Sequence, residues 1–292
     1  MKYIEKHPII MIAVGIIGIS VSSILVRYSS APSALTAAWR LVWTVLMMTP
    51  VVLGKASVRK EMAALDGKTV LLSVFSGVFL AIHFAVWFES LSHTSVASST
   101  TIVCTEVIWV SLGYCLFLKG KLGLKALAAI AVTLAGSILI ALADSTAGQA
   151  QLYGDLLALA AAVAVAVYTL LGRIVRGNTS TTVYTYIVYS ACGIVLVLVC
   201  AVRGYGFFDY GISCILVGAL LALCSTILGH SIFSWCLKYF SPSFVSASKL
   251  CEPVVAAALA GVLFGEKMSL MQVLGGSLIL GGVLYYSALE QK

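Results

Sequence analysis

Ten apolar stretches, each about 20 residues long, follow one another along the chain and are separated by short polar connectors. A helix that crosses the hydrocarbon core of a bilayer needs about 20 apolar residues. The pattern therefore predicts an all-α integral membrane protein with ten transmembrane helices. The predicted spans are residues 9–27, 33–53, 69–91, 96–117, 125–143, 153–174, 181–203, 212–237, 244–264 and 270–289.

The composition agrees with a membrane protein. Hydrophobic residues make up 61% of the 292 residues and charged residues only 10%, whereas soluble domains carry about 25% charged residues. The net charge of +7 comes from basic residues scattered between the apolar stretches, so no nucleic-acid partner is expected. The eight cysteines lie inside apolar stretches without metal-ligand or redox spacing, and neither a metal nor a cofactor is expected.

Lys and Arg are divided unequally between the two sets of connectors. Thirteen lie at the termini and in the even-numbered connectors, and three (Arg27, Arg203 and Lys267) lie in the odd-numbered ones. Because basic residues concentrate on the cytoplasmic side of a membrane, the asymmetry predicts that both termini are cytoplasmic. This orientation requires an even number of spans.

The two halves of the chain repeat at an interval of 146 residues. Cys104-Thr105-Glu106 corresponds to Leu250-Cys251-Glu252, and Ala135-Gly136 corresponds to Gly281-Gly282. Each half contains five predicted spans, an odd number, so the second half must insert upside down relative to the first. The sequence thus predicts two inverted five-helix repeats, residues 1–146 and 147–292, with a substrate site between them near the membrane midplane.

Glu106 and Glu252 lie at matching positions inside apolar spans. A carboxylate at that depth costs roughly 2.5–3.5 kcal/mol on insertion scales, so it is usually kept because something is bound or moved there. Lys249 precedes Glu252 by three residues, which predicts an ion pair on one helix face that a substrate or proton can compete for. Glu106 has no basic neighbour within a turn. Unless Arg40 or Lys249 reaches it, we expect a neutral carboxyl group that couples transport to protons or bonds to a hydroxyl.

Three further polar side chains inside predicted spans are candidates for the same site. Arg40 lies about 10 Å into the second span, where it can bind a substrate carboxylate or anchor its own helix. His83 and Trp87 share one face of the third span and can line a cavity for an organic cation or an aromatic substrate, or simply pack. His230 and Trp235 occupy a related place in the eighth span. The predicted substrate-binding residues are Glu252, Lys249, Glu106, His83, Trp87 and Arg40.

The ordered motifs resemble the drug/metabolite transporter superfamily, in its EamA-type ten-helix family. They are Pro32 with Thr36-Ala37-Ala38-Trp39-Arg40, His83-Phe84-Ala85-Val86-Trp87 with Thr94-Ser95-Val96-Ala97, Glu252-Pro253 and Gly265-Glu266. The resemblance implies a secondary transporter that moves a small metabolite, an amino acid or related compound, across the bacterial inner membrane by alternating access, as an exporter. The first half has Glu106-Val107 where the family often has Glu-Pro, so a proline kink is not expected there.

Other functions fit the sequence less well. A multidrug or organic-cation efflux carrier remains an alternative. A passive channel is less well supported, because the sequence shows no ring of charged residues that could select ions. An intramembrane aspartyl protease needs facing aspartates within spans, and all four aspartates lie at loops or helix ends, so no enzyme is expected. The expected partners are a small-molecule substrate, the lipid bilayer and protons. The chain is expected to be a monomer or weak homodimer, since Gly275-Gly276 and Gly281-Gly282 can serve either internal packing or a dimer face.

Overall fold

The computed structural model describes residues 8–26, 28–90, 93, 99, 102–144, 152–252, 254–255, 258–259, 262 and 269–290. All regular secondary structure in these residues is helical. The helices are α1 (Pro8–Val26), α2 (Ser33–Gly54), α3 (Ala56–Ala63), α4 (Gly67–Ser90), α5 (Glu106–Phe117), α6 (Leu124–Asp144), α7 (Leu152–Val175), α8 (Thr181–Val202), α9 (Gly211–Leu221), α10 (Ser231–Cys236), α11 (Pro242–Lys249) and α12 (Leu270–Glu290), with a π-helical segment (Ala222–His230) between α9 and α10.

Among the described residues, seven helices are long and apolar enough to cross a membrane. They are α1, α2, α4, α7, α8, α12 and the continuous helix Gly211–Cys236, which comprises α9, the π-helical segment and α10. Two shorter apolar helices, Ile102–Phe117 and Leu124–Leu139, add to them. The prediction of an all-α, multi-pass membrane protein is confirmed. The count of ten stays a prediction, because the span expected at 244–264 lies partly outside the described residues.

The connector between the second and third predicted spans contains a helix that the apolar pattern did not predict. Helix α3 has eight residues and buries a single apolar side chain, Val58. Val58 packs in a small cluster with Val52 and Val183. The Glu61 carboxylate accepts a hydrogen bond of 2.6 Å from the backbone N–H of Ser180, at the start of α8. One buried valine is too little to give a recognisable helical period in the sequence.

The helix from Gly211 to Cys236 widens in its middle into π-helical geometry. Two hydroxyl groups contribute to the five-residue spacing. Thr226 Oγ1 contacts the carbonyl oxygen of Leu221 at 3.5 Å, and Ser231 Oγ donates to the carbonyl oxygen of Thr226 at 3.2 Å. Segments of π-helix are rare and occur frequently at functional sites.

Regular α-helical hydrogen bonding is interrupted just before each of the two predicted site carboxylates. In the first half, Thr105 N donates to Ile102 O at 3.0 Å, a bond that spans only three residues. In the second half, Leu250 N donates to Ala247 O at 3.1 Å and Cys251 N donates to Ser248 O at 3.2 Å. A proline is therefore not required for the break in the first half, which the sequence did not anticipate.

Close packing of α6 against α12 accounts for several of the glycines. A Cβ atom at Gly136 would lie 2.6 Å from the carbonyl oxygen of Gly275, and one at Gly282 would lie 3.1 Å from that of Ala129. A Cβ at Gly281 would meet nothing within 4 Å. Packing within the chain, one of the two expectations for the α12 glycines, thus explains Gly282, and the same helix contact explains Gly136 in α6.

Candidate functional site

A cavity of about 100 Å³ lies between the helices of the two halves. At about 10–15 Å³ for each water position, it has room for several waters. All six residues predicted from the sequence line it: Arg40, His83, Trp87, Glu106, Lys249 and Glu252. Their side chains come from α2, α4, α5, α11 and the turn that follows α11. The structure thus brings the six residues together around one cavity. Their role in binding a substrate stays a prediction.

Lys249 forms its ion pair with Glu106, so the expected pairing with Glu252 is wrong. The Lys249 ammonium lies 3.0 Å from Oε1 of Glu106, and the two side chains are only 14% and 9% exposed. The expectation assumed a regular helix through residues 249–252, whereas the three-residue hydrogen bonds there alter the spacing of side chains. Lys249 ends α11 and Glu106 begins α5, so each charge also complements the dipole of its own helix.

The Glu252 carboxylate is left without a cation. Among the described residues no Lys, Arg or His nitrogen lies within 4.0 Å of it, and the side chain lines the cavity. Its backbone carbonyl accepts a hydrogen bond of 3.3 Å from Ser20 Oγ in α1. The Glu252 carboxyl group therefore faces the cavity without an ion pair of the kind that Glu106 has.

Arg40 is a cation on the same cavity that, like Glu252, forms no ion pair among the described residues. Its side chain is 4% exposed, Nε donates to Thr226 Oγ1 at 2.6 Å, and the guanidinium carbon lies 4.8 Å from the ring centre of Phe84. Nη2 is buried without a hydrogen-bond partner, and no described carboxylate oxygen lies within 4.0 Å of the guanidinium. The π-helical segment thus positions Arg40 through a neutral hydroxyl, and the guanidinium forms no ion pair within 4.0 Å with a described carboxylate.

His83 and Trp87 stack on the cavity side of α4. Their ring centres lie 5.9 Å apart with 15° between the planes. His83 Nδ1 lies 3.0 Å from the carbonyl oxygen of Ala161 in α7. A carbonyl oxygen only accepts, so Nδ1 carries a proton. This bond anchors the histidine to α7, and the indole Nε1 of Trp87 is buried with no partner.

The cations of the protein already occupy two aromatic faces in the cavity. Arg40 covers Phe84, and the Lys249 ammonium lies 5.8 Å from the ring centre of Phe233. An aromatic cage for a substrate cation needs open ring faces. The cavity therefore has fewer open aromatic faces for an organic cation than its number of aromatic side chains suggests.

Several residues at or near the cavity carried little or no sequence signal. His230 lines the cavity, with its ring edge-on to Phe84 at 5.9 Å. Trp235, which was considered together with it, packs on Tyr239 at 4.4 Å and is not a lining residue. Thr226, which accepts from Arg40, and Ser246, which lines the cavity, could not be singled out, because hydroxyl residues are common in transmembrane helices.

A second group of charges lies at the end of α4. Glu89 accepts from Arg203 at 2.8 Å and lies 3.5 Å from Nε2 of His93. Its side chain is 32% exposed, as expected for a rim charge. Exposed pairs of this kind contribute little to stability, about 0–1 kcal/mol. Glu89, near the end of the long helix α4, is thus paired at a rim, whereas Glu252, which follows the short helix α11, lines the cavity without an ion pair among the described residues.

Comparison with known proteins agrees with the family expected from the sequence. Residues 152–288 match the model of the EamA-like transporter family, which is part of the drug/metabolite transporter superfamily. The recognition of this transporter family is confirmed over the second half of the chain. A solved structure described only as "Crystal structure of protein" is similar over 98% of each chain, with a TM-score of 0.82 and 17% identity, and shows the fold alone. No curated protein matches the chain.

Proposed function

We propose that the protein is a secondary transporter that exports a small zwitterionic metabolite, an amino acid or a related compound, across the bacterial inner membrane by alternating access. One observation carries the proposal. Arg40 and Glu252 are opposite charges on one cavity, and neither has an ionic partner among the described residues. Uncompensated charges inside transmembrane helices are costly and are usually kept for binding or transport.

The charges of the cavity match those of a zwitterion. The substrate carboxylate would bind Arg40, whose Nη2 has no partner, and the ammonium would bind Glu252. Lys249 and Glu106 are the other charged residues that line the cavity, and they could in principle bind the carboxylate and the ammonium. The 3.0 Å contact between these two residues removes the need for a ligand at either. With substrate bound, Arg40 would pair with the carboxylate and Glu252 with the ammonium. This pairing lowers the cost of burying these four charges.

Helix bounds support the arrangement of residues 1–146 and 147–292 as two five-helix repeats. Helices α6 (Leu124–Asp144) and α12 (Leu270–Glu290) are separated by 146 residues at both ends. The helix interruptions at Thr105 and Cys251 are separated by the same interval. In inverted-repeat transporters, interrupted helices surround the substrate site, and one half rocks against the other. Ten spans would place both termini on the same side of the membrane, and the asymmetry of Lys and Arg between the connectors favours the cytoplasmic side.

Proton coupling belongs to Glu252 in this proposal. The sequence assigned it to Glu106, on the condition that no cation reached that carboxylate, and Lys249 does reach it. A buried carboxylate without a cation is most easily held when it carries a proton or binds a cationic ligand. Proton and substrate ammonium would therefore compete for Glu252, and binding of one would release the other.

The test is ligand binding to the purified protein in lipid nanodiscs. A panel of labelled amino acids would be compared with analogues that lack the carboxylate or carry a blocked amine. Hydrogen bonds to charged groups contribute about 1.5–3 kcal/mol, so loss of either group, or the variants Arg40→Gln and Glu252→Gln, should weaken binding about 10- to 150-fold. Glu89→Gln is the matched control and should bind normally.

Two results would overturn the proposal. Equal binding of amines without a carboxylate, undiminished in Arg40→Gln, would favour an organic-cation efflux carrier. Normal binding of zwitterions by Glu252→Gln would remove the carboxylate from the substrate site.

A further inference from the structure

Three side chains on the cavity wall each have a buried polar atom with no hydrogen-bond partner. They are Nη2 of Arg40, Nε1 of Trp87 and Oγ of Ser246. The great majority of buried polar atoms in proteins are hydrogen-bonded, so each exception needs an explanation. The three atoms come from α2, α4 and α11 and meet at the cavity that the proposed substrate occupies.

In the proposed site the substrate carboxylate would accept from Nη2 of Arg40, and the ammonium would donate to Glu252. The ammonium is a donor and cannot satisfy the indole N–H of Trp87, whereas the hydroxyl group of Ser246 can donate or accept. An indole N–H donates and never accepts, so Trp87 requires an acceptor. Ser246 is 1% exposed, and its hydroxyl group can donate to the same acceptor.

We propose that Trp87 and Ser246 bind a hydrogen-bond acceptor on the substrate side chain, and that the cavity selects polar amino acids over aliphatic ones of the same shape. The inference rests on the proposed function and specifies its substrate class. A hydroxyl or a carboxamide supplies the required oxygen. A methyl group in its place leaves the indole N–H and the serine hydroxyl without a partner in the loaded state.

The expected selectivity follows from the cost of leaving buried donors unpaired. A site built to hydrogen-bond a substrate group rejects an analogue that lacks the group much more strongly than an apolar pocket rejects an isostere. One unpaired donor corresponds to about a 5- to 150-fold loss of affinity, which is about 1–3 kcal/mol at 1.4 kcal/mol per tenfold.

Near-isosteric pairs of amino acids provide the test. Competition by threonine against valine, and by asparagine against leucine, would be measured on wild-type protein in nanodiscs. The polar member of at least one pair should bind at least 5-fold more tightly. Trp87→Phe keeps an aromatic ring without the donor, and Ser246→Ala keeps the backbone without the hydroxyl. Each should reduce the preference severalfold while still binding the zwitterion.

The chain offers a matched control for each variant. Trp109 Nε1 and Ser111 Oγ are also buried without a partner, but neither residue lines the cavity. Trp109→Phe and Ser111→Ala should leave the preference unchanged. If these controls reduce it as much as the cavity variants do, the effect is structural and the inference fails.

The outcome separates this inference from the proposed function. Binding of all four amino acids with equal affinity, still dependent on Arg40 and Glu252, would overturn the side-chain site and leave the zwitterion site standing. Absence of binding by any zwitterion would overturn both.

Discussion

Replacing Lys249 with methionine should destabilise the protein strongly, and replacing Glu106 as well should reverse most of the loss. Methionine keeps the length and apolar stem of lysine, so the change removes the ammonium with little loss of packing. It leaves the Glu106 carboxylate, 9% exposed, without the partner that lies 3.0 Å away.

The magnitude follows from the burial of the pair. Removing one member of a buried ion pair costs about 3–5 kcal/mol, because the other charge remains buried and uncompensated. For a chain of this size about 1 kcal/mol corresponds to about 2 °C in Tm, so Lys249→Met should lower Tm by about 6–10 °C. The double variant Lys249→Met/Glu106→Gln creates no new unpaired charge and should lie within about 2 °C of wild type.

Thermal unfolding in detergent, monitored by intrinsic tryptophan fluorescence, measures these shifts. A second double variant, Lys249→Met/Glu252→Gln, distinguishes the observed pairing from the one expected from sequence. It should be as unstable as Lys249→Met alone, because Glu106 is still unpaired. Recovery with Glu252→Gln instead of Glu106→Gln would refute the assignment of the pair.

Three further predictions concern packing, positioning and topology. Gly136→Ala should cost about 1–3 kcal/mol by overpacking, since the new Cβ would lie 2.6 Å from a backbone oxygen of α12, whereas Gly281→Ala should leave Tm unchanged because nothing lies within 4 Å. Thr226→Val removes the acceptor of the buried guanidinium in α2 and should weaken binding of the zwitterion about tenfold while binding of an amine without a carboxylate stays the same. Impermeant thiol reagents should label cysteines introduced at Lys121 and Gly148 from opposite sides of the membrane, and labelling of both from one side would contradict the ten-span topology.

The sequence correctly predicted an all-α membrane fold and six of the residues that line the cavity. An apolar stretch of about 20 residues in a membrane is expected to form a helix, because a lipid-exposed backbone must satisfy its own hydrogen bonds. Ionisable residues inside such stretches must face protein or water, so Arg40, His83, Glu106 and Glu252 could be assigned to an interior site without knowledge of helix packing.

The pairing of charges could not be predicted in the same way. Spacing along an ideal helix suggested that Lys249 contacts Glu252, yet the chain leaves α-helical geometry between these two residues. The partner instead comes from α5, which is distant in sequence. The position of Thr226 depends on a π-helical segment, and the two hydroxyl contacts that accompany it have no recognisable sequence pattern. Local departures from regular geometry thus decide which charges remain free.

Counterflow in proteoliposomes tests most directly whether Glu252 and its cavity carry substrate across the membrane. Vesicles loaded with an excess of the zwitterion that binds most tightly would be diluted into a trace of the same compound carrying a label. Wild-type protein and Glu89→Gln should accumulate label transiently, and an inward or outward pH gradient should change the extent. Glu252→Gln, reconstituted to the same density, should accumulate none. Accumulation by Glu252→Gln at the wild-type rate would contradict the account.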